Sequence, residues 1–312
     1  MTTGKHPEPT AHDGPGPRTE SPASKAIPPA DEETKLATAS PPNDRLAPAH
    51  DWPVPLPDCI RVERHGNLAV LTLDRPAKRN ALNDDLVLAL QAFFSTIPRD
   101  VQGVVMRGAG EHFCAGLDLN ELKETTTAES FETSIIGQRL NDTVQFCRVP
   151  VIAVLHGAVI GGGLELAAAA HIRIAERSAY YALPEGTRGI FLGSGGSVRL
   201  PRLIGADAVI DMMLSGRVYD AEEAHNRLRL SQYLVEPGEG LDRALQLAAR
   251  IARNAPLANF AVLQAIPRIV EQDPQAGLFT EMLMVGVAQG DDEAKRRLRD
   301  FLEHKKDKVR RS

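Results

Sequence analysis

Short apolar runs that suit buried strands alternate along the chain with segments whose apolar residues recur at helical spacing. The pattern predicts strands at 60–64, 68–73, 101–107, 149–155, 171–175 and 179–183, and helices at 83–97, 130–147, 164–170, 206–214, 221–227, 241–254, 256–272 and 275–305. Strands interleaved with helices are typical of βαβ units. The sequence therefore predicts an α/β fold with a largely parallel sheet, followed by a helical C-terminal layer.

Residues 1–57 differ in composition from the rest of the chain, because they hold 13 of the 22 prolines and lack apolar periodicity. Such a segment cannot offset its own ordering entropy. We therefore expect a disordered Pro-rich tail at 1–57, a catalytic core at 58–255 and a helical region at 256–312. The tail has neither a basic start nor an apolar core, which gives no targeting signal and leaves the cytoplasm as the default location.

The composition of the 312 residues limits the classes of function. Hydrophobic residues make up 43%, yet no apolar run reaches the roughly 18 residues that a membrane-spanning helix needs. A balance of 36 basic against 41 acidic residues argues against a general nucleic-acid binder. The three cysteines are far apart and form no CxxC, which favours a reducing compartment over a disulfide scaffold or a zinc cluster.

Three glycines, Gly161 to Gly163, follow a predicted buried strand and open a predicted helix. A helix start of this kind exposes unpaired N–H groups at the positive end of the helix dipole, which suits an anion or a developing oxyanion. No GK[ST] follows, so the segment is not a nucleotide P-loop. Glu165 lies in the first turn of this helix among apolar and small residues, where a carboxylate needs a partner or a chemical role.

A second acid, Glu185, lies just after the strand predicted at 179–183. Taken alone, it reads as a turn residue, and Glu165 alone reads as a group that compensates the helix dipole. Two carboxyl groups in one apolar site acquire different pKa values, so that one can accept a proton and the other can donate one. A third segment, 111–119, places the small residues Ala115 and Gly116 after a strand, where the backbone can approach a ligand or form an ordinary turn.

Five ordered motifs resemble those of the crotonase (enoyl-CoA hydratase/isomerase) family. Residues 73–82 resemble its LNRPxxxNAL segment, 113–119 its F-x-A-G-x-D-[LI] motif, and 156–166 its [NH]-G-x-x-x-G-G-G-x-E-L motif. The likeness continues through 184–196 and 214–224 and covers about residues 58–305. The resemblance implies a crotonase-like ββα superhelix with parallel sheets and a helical C-terminal region that forms trimers.

The resemblance also implies a chemistry. The backbone N–H groups of Leu117 and Gly162 would bind the carbonyl oxygen of an acyl-CoA thioester, and Glu165 and Glu185 would share one water. Retention of both acids favours hydration of a 2-enoyl-CoA to a 3-hydroxyacyl-CoA, with Glu185 delivering the proton to Cα. A double-bond isomerase, a lyase or a hydrolase on the same fold stays open, as does a non-catalytic homologue that binds acyl-CoA or RNA.

The implied substrate contacts extend beyond these four residues. Substrate or CoA binding would involve Lys78, Arg79, Ala115, Gly116, Asp118, Leu119, Asn120 and Gly161. No separate cofactor and no metal are expected, because coenzyme A is part of the substrate. The basic residues between Lys305 and Arg311 would reach nucleotide phosphates or form a solvated helix end. The expected partners are the thioester and further copies of the chain, as a homotrimer or a dimer of trimers, without nucleic acid or membrane.

Three departures from the family pattern bear on the substrate and the fold. Leu192 replaces a proline, and Arg188 brings a guanidinium close to Glu185, where it would bind a polar acyl group or form a surface salt bridge. Residues 224–230 lose a glycine, which predicts an altered helix C-cap with little effect on chemistry.

Overall fold

The computed structural model describes residues 52–118, 120 and 124–303. Its strands are β1 (Ile60–His65), β2 (Leu68–Leu73), β3 (Gly103–Gly108), β4 (Val151–Leu155), β5 (Ala158–Ile160), β6 (Ile172–Glu176), β7 (Tyr180–Ala182), β8 (Tyr219–Asp220) and β9 (Tyr233–Val235). Its helices are α1 (Asp84–Ser95), α2 (Thr127–Gln145), α3 (Gly162–Ala169), α4 (Gly196–Ile204), α5 (Ala206–Ser215), α6 (Ala221–Asn226), α7 (Gly240–Ile251), α8 (Pro256–Ile269), α9 (Pro274–Gly290) and α10 (Asp292–Leu302).

Two sheets organise the described residues. The larger has the order β1-β2-β3-β4-β6-β9, in which β1 and β2 form an antiparallel hairpin and every later pair is parallel. The smaller has the order β5-β7-β8, with β5 and β7 parallel. The predicted α/β class with parallel strands is confirmed. The short strands β5, β8 and β9 were not predicted, since two or three residues carry too little periodicity to detect. The helix α4 was not predicted either, because it contains Pro201 and begins at a glycine pair, both of which are typical of loops.

Apolar side chains cover both faces of the larger sheet. On one face, Leu71 and Met106 belong to the main core together with α1, α2 and α3. On the other face, Val105 and Ile152 pack with Leu247 of α7. Since both faces are covered, the central strands read as continuous apolar runs in the sequence. No helix of the described residues is long and apolar enough to cross a lipid bilayer.

The folded part begins earlier than the sequence predicted. Trp52 is buried, and its ring stacks on Phe93 with the ring centroids 4.5 Å apart. Its indole N–H donates a hydrogen bond of 3.2 Å to the hydroxyl of Thr96. The boundary of the predicted tail at residue 57 was therefore wrong, because a lone tryptophan among prolines shows no periodicity. The rest of that predicted tail, residues 1–51, lies outside the described residues.

The long C-terminal helix predicted at 275–305 is two helices. Asp291 has extended backbone angles (φ −67°, ψ 137°), and its carboxylate accepts a hydrogen bond from the amide of Ala294. An aspartate in this geometry is a helix N-cap, so α9 ends at Gly290 and α10 begins at Asp292. The prediction of one continuous helix was wrong because it did not recognise Asp291 as a helix N-cap. The basic residues 305–311 lie outside the described residues.

The segment 224–230, which lacks the glycine of the family pattern, contains one residue with a positive φ. Arg229 adopts a left-handed conformation with φ +55°, a few residues after α6 ends at Asn226. A side chain in this region costs roughly 1–2 kcal/mol relative to the right-handed conformation, whereas glycine adopts it freely. The arginine therefore carries a local backbone strain in a solvent-exposed turn.

Candidate active site

Glu165 lies in the first turn of α3, a helix whose residues are all buried. Its side chain is only 4% exposed. The Oε1 atom accepts hydrogen bonds from two backbone amides of the chain that precedes and opens α4, from Ser194 N at 2.9 Å and from Gly196 N at 2.7 Å. The expectation that this helix is buried is confirmed, and its single carboxylate is bound by main-chain donors rather than by a cation.

Glu185 follows β7 and is also buried, at 7% exposed. Its Oε1 atom lies against Gly161, where a Cβ built on that glycine would come within 2.6 Å of it. Gly161 has φ +53°, so both its backbone conformation and the space beside it suit glycine alone. The Oε2 atom of Glu185 is buried and has no hydrogen-bond partner among the described residues.

Burial and nearby charges shift the pKa values of both carboxyl groups. Burial is the main cause that raises the pKa of Glu165 above its ordinary value, while the amides of Gly196 and Ser194 and the charge of Arg199 act in the opposite direction. Burial also raises the pKa of Glu185, and the charge of Glu165 raises it further. Glu165 receives two hydrogen bonds that favour its ionised form, whereas the bare Oε2 atom of Glu185 favours the protonated form. The two buried carboxyl groups therefore have different hydrogen-bonding environments.

A backbone bridge places the amide of Leu117 beside the start of α3. Leu82 pairs with Leu117 in a parallel bridge that uses the carbonyl of Gly116 and the amide of Asp118, which leaves the Leu117 amide unused by the bridge. Gly116 has φ +90°, and a Cβ built on it would be 2.7 Å from the carbonyl oxygen of Ile160 and 3.5 Å from the Gly162 nitrogen. The close approach brings the Leu117 and Gly162 amides to one location.

Asp118 is engaged with the protein in this structure. Its Oδ2 atom pairs with a guanidinium nitrogen of Arg75 at 2.8 Å, and its Oδ1 atom accepts hydrogen bonds from the backbone and side-chain nitrogens of Asn120. Arg75 and Asn120 both help to hold the pKa of Asp118 below its ordinary value. These contacts indicate that Asp118 fixes the loop after Leu117, while its predicted role in substrate binding stays a prediction.

The other predicted substrate contacts are placed as follows. Lys78 and Arg79 are exposed, and the carbonyl of Arg79 accepts a hydrogen bond from the amide of Ala115 at 3.0 Å. This bond joins the basic segment to the loop that carries Leu117. Leu119 lies outside the described residues.

Two residues that the sequence analysis did not single out hold this region together. Asn80 is fully buried and donates through Nδ2 to the carbonyls of Ala109 and His112. Arg75 donates to the carbonyl of Ala81 in addition to its pair with Asp118. Both lie within the 73–82 segment, so the motif was the available signal, but a polar residue in a motif does not reveal which backbone groups it will bind.

Two of the departures from the family pattern have structural outcomes. Arg188 is exposed and forms no ion pair with the described residues, so the surface salt bridge considered for it is absent there. Its charge still lowers the pKa of Glu185 slightly against the effect of burial. Leu192 is buried in the main core at the position of the missing proline.

The chain is similar to known proteins over most of its length. The model of the enoyl-CoA hydratase/isomerase family matches residues 63–310. The short-chain-enoyl-CoA hydratase of Clostridium acetobutylicum is 35% identical over 79% of this chain and 95% of its own length. The 2,3-dehydroadipyl-CoA hydratase of Escherichia coli K12 is 37% identical over 70% of this chain and 86% of its own length.

A solved structure extends the similarity to three dimensions. The crystal structure of a candidate enoyl-CoA hydratase from Rhodopseudomonas palustris CGA009 is 57% identical and superposes with a TM-score of 0.77, covering 81% of this chain and 98% of that one. The family match, the sequence identities and the fold all indicate the same family. The chain belongs to the enoyl-CoA hydratase/isomerase family.

Proposed function

We propose that this protein hydrates a 2-enoyl-CoA thioester to a 3-hydroxyacyl-CoA. The observation that carries the proposal is the pair of buried carboxyl groups of Glu165 and Glu185, whose pKa values are both raised, next to a glycine-rich helix start. Hydration needs one group that accepts a proton from water and another that delivers a proton to carbon. Two carboxyls with different environments supply both.

The amides of Leu117 and Gly162 would bind the thioester carbonyl oxygen. Attack at Cβ moves negative charge onto that oxygen as an enolate, so donors that are already aimed at it stabilise the transition state. Loss of one such donor in other enzymes costs about 2.7–4 kcal/mol of activation free energy. The close approach of Gly116 to Ile160 and Gly162 supports this arrangement.

The two acids would divide the proton transfers between them. Glu165 accepts two amide hydrogen bonds that favour its carboxylate, so it takes the proton from water as the oxygen bonds to Cβ. Glu185 has an unpartnered buried oxygen that favours its protonated form, so it gives a proton to Cα. The net result is addition of one H and one OH across the double bond, and return of the proton from Glu165 to Glu185 resets the site.

The binding of coenzyme A would involve the exposed Lys78 and Arg79, since both cations lie on the segment that is hydrogen-bonded to the Leu117 loop. A protein with three free cysteines suits a reducing compartment such as the cytoplasm, which we propose as its location.

A homotrimer, or a dimer of trimers, would cover apolar residues that the single chain leaves exposed. The helices α8, α9 and α10 expose a series of large apolar side chains, among them Val262, Ile266, Phe279, Met282 and Leu298. An apolar surface of this kind marks an interaction site. A monomer mass by light scattering would contradict the assembly.

Product analysis tests the proposed function. The purified protein is incubated with crotonyl-CoA in H₂¹⁸O, and in parallel with a 3-enoyl-CoA. We expect 3-hydroxybutyryl-CoA that carries ¹⁸O at C3. Conversion of the 3-enoyl thioester alone would indicate an isomerase, release of free coenzyme A a hydrolase, and tight binding without product a non-catalytic protein, and each of these results would contradict the proposal.

A further inference from the structure

The turn from Ser194 to Gly196 controls the environment of Glu165, because both of its hydrogen bonds to Oε1 come from this turn. The turn precedes and opens α4 and does not belong to a sheet. Main-chain donors of a turn keep their direction only if something else holds the turn in place. The structure identifies two side chains that do so.

The first is Asn141 on α2. Its Nδ2 atom donates a hydrogen bond of 2.8 Å to the carbonyl oxygen of Ser194, and its side chain is 2% exposed. About two turns earlier on the same helix, the hydroxyl of Ser134 donates to the carbonyl of Gly193 at 2.6 Å. Ser134 therefore binds the carbonyl of the peptide whose amide, Ser194 N, donates to Glu165, and Asn141 binds the carbonyl of the next peptide, which lies between the two donor amides.

The second is Arg199, in the first turn of α4 and 9% exposed. Its Nε atom donates to Oε1 of Gln145 at 2.6 Å, and one Nη atom pairs with Oδ1 of Asp142 at 2.5 Å. Its other Nη atom lies 3.5 Å from the carbonyl oxygen of Ser194. A planar guanidinium with several fixed donors can join three groups in this way, whereas a lysine cannot.

The far end of α2 is itself fixed to the sheet. The Nδ1 atom of His171 accepts a hydrogen bond from the amide of Val151 in β4, and its Nε2 atom bonds to the carbonyl of Gln145. Burial lowers the pKa of His171 to about 4, so the ring is neutral at physiological pH, as this donor–acceptor pattern requires. A continuous series of hydrogen bonds thus connects the sheet, through α2 and Arg199, to the turn.

We propose that Asn141 and Arg199 are positioning residues that hold the Ser194–Gly196 turn against α2, so that its two amides stay aimed at Oε1 of Glu165. The inference rests on the proposed function only for its meaning in catalysis. Whether the two residues keep the amides of the turn aimed at Glu165 can be tested without any turnover.

The charged groups around Glu165 set the direction of the expected effect. Arg199 on α4 favours the carboxylate of Glu165, whereas the charge of Glu165 raises the pKa of Glu185. Asp142 on α2 is paired with Arg199, and Arg188 acts on Glu185. Removal of either positioning residue weakens the amide hydrogen bonds, so the carboxylate loses stabilisation and its pKa rises.

The pKa of Glu165 is measured by NMR of the ¹³C-labelled glutamate carboxyl groups in a Glu185→Gln background, with Glu165 assigned from a Glu165→Gln spectrum. Arg199→Met removes both the charge and the donors, and Asn141→Ser removes the donor to Ser194 without a change of charge. We expect the pKa of Glu165 to rise by roughly one pH unit or more in Arg199→Met and in the same direction in Asn141→Ser.

The matched control is Arg202→Met, which removes another α4 arginine whose partner is the exposed Glu271. It should leave the pKa of Glu165 unchanged. Folding is checked by circular dichroism and thermal unfolding, and if Arg199→Met does not fold, Arg199→Lys replaces it, with a smaller rise expected.

If the pKa of Glu165 rises in Arg199→Met but not in Asn141→Ser, the lost charge of Arg199 explains the result. That outcome would overturn the proposal that the two residues position the turn. Unchanged values in both folded variants would overturn the inference entirely. In an active wild-type background, the acidic limb of the kcat/KM pH profile should move to higher pH in parallel with the NMR result. Absence of activity would contradict the proposed function and leave the NMR test intact.

Discussion

Replacement of Glu165 by glutamine is expected to slow the hydration of crotonyl-CoA about 10²–10⁴-fold, the range that one acid–base group usually contributes. Glutamine preserves the size of the side chain, and its carbonyl oxygen can still accept the hydrogen bonds from Ser194 and Gly196. It cannot take a proton from water at neutral pH. We therefore expect kcat to fall while KM stays within a few-fold of the wild-type value.

Glu185→Gln should show a loss of the same order, because the proton delivered to Cα would have no source. The matched control is Glu176→Gln, which alters another buried glutamate that accepts a backbone amide, that of Gly240 at the start of α7. This control should keep the wild-type rate. Wild-type rates in folded Glu165→Gln or Glu185→Gln would remove that residue from the mechanism.

Substitution of alanine for Gly116 is expected to lower kcat about 10²–10³-fold, the loss that follows removal of one oxyanion donor. The new Cβ would be 2.7 Å from the carbonyl oxygen of Ile160, and Gly116 already has φ +90°, where a side chain is strained. The backbone must shift to relieve this contact. The amide that moves first belongs to the next residue, Leu117.

Gly66→Ala serves as the control for backbone strain alone. Gly66 has φ +60° in the hairpin turn between β1 and β2, and a Cβ added there would meet no atom within 4 Å. We expect the rate of this variant to equal that of the wild type. If Gly116→Ala also kept the wild-type rate and fold, the oxyanion site would have to lie elsewhere.

The burial and the backbone geometry around Glu165 were predictable because single residues signal them. Glu165 stands out because a carboxylate among apolar neighbours is costly, and the glycine run before it marks a backbone that a ligand approaches. Both features are local, so a sequence read along the chain can detect them. The burial of α3 followed from the same apolar neighbours and was confirmed.

The contacts that hold Glu165 and the Ser194–Gly196 turn in place were not predictable in this way. The donors to Glu165 are the main-chain amides of Ser194 and Gly196, which every residue type except proline supplies. Asn141 and Arg199 act through contacts across more than 50 positions of the chain, and no local pattern encodes such a contact. Similarly, the break at Asp291 depends on the conformation of one capping residue.

A crystal structure of the Glu165→Gln variant with bound crotonyl-CoA tests the central claim most directly, since the variant should hold its substrate without converting it. We predict that the thioester carbonyl oxygen lies about 2.7–3.1 Å from the backbone nitrogens of both Leu117 and Gly162, with residues 165 and 185 beside Cβ and Cα. A carbonyl oxygen bound away from these two nitrogens would contradict the account.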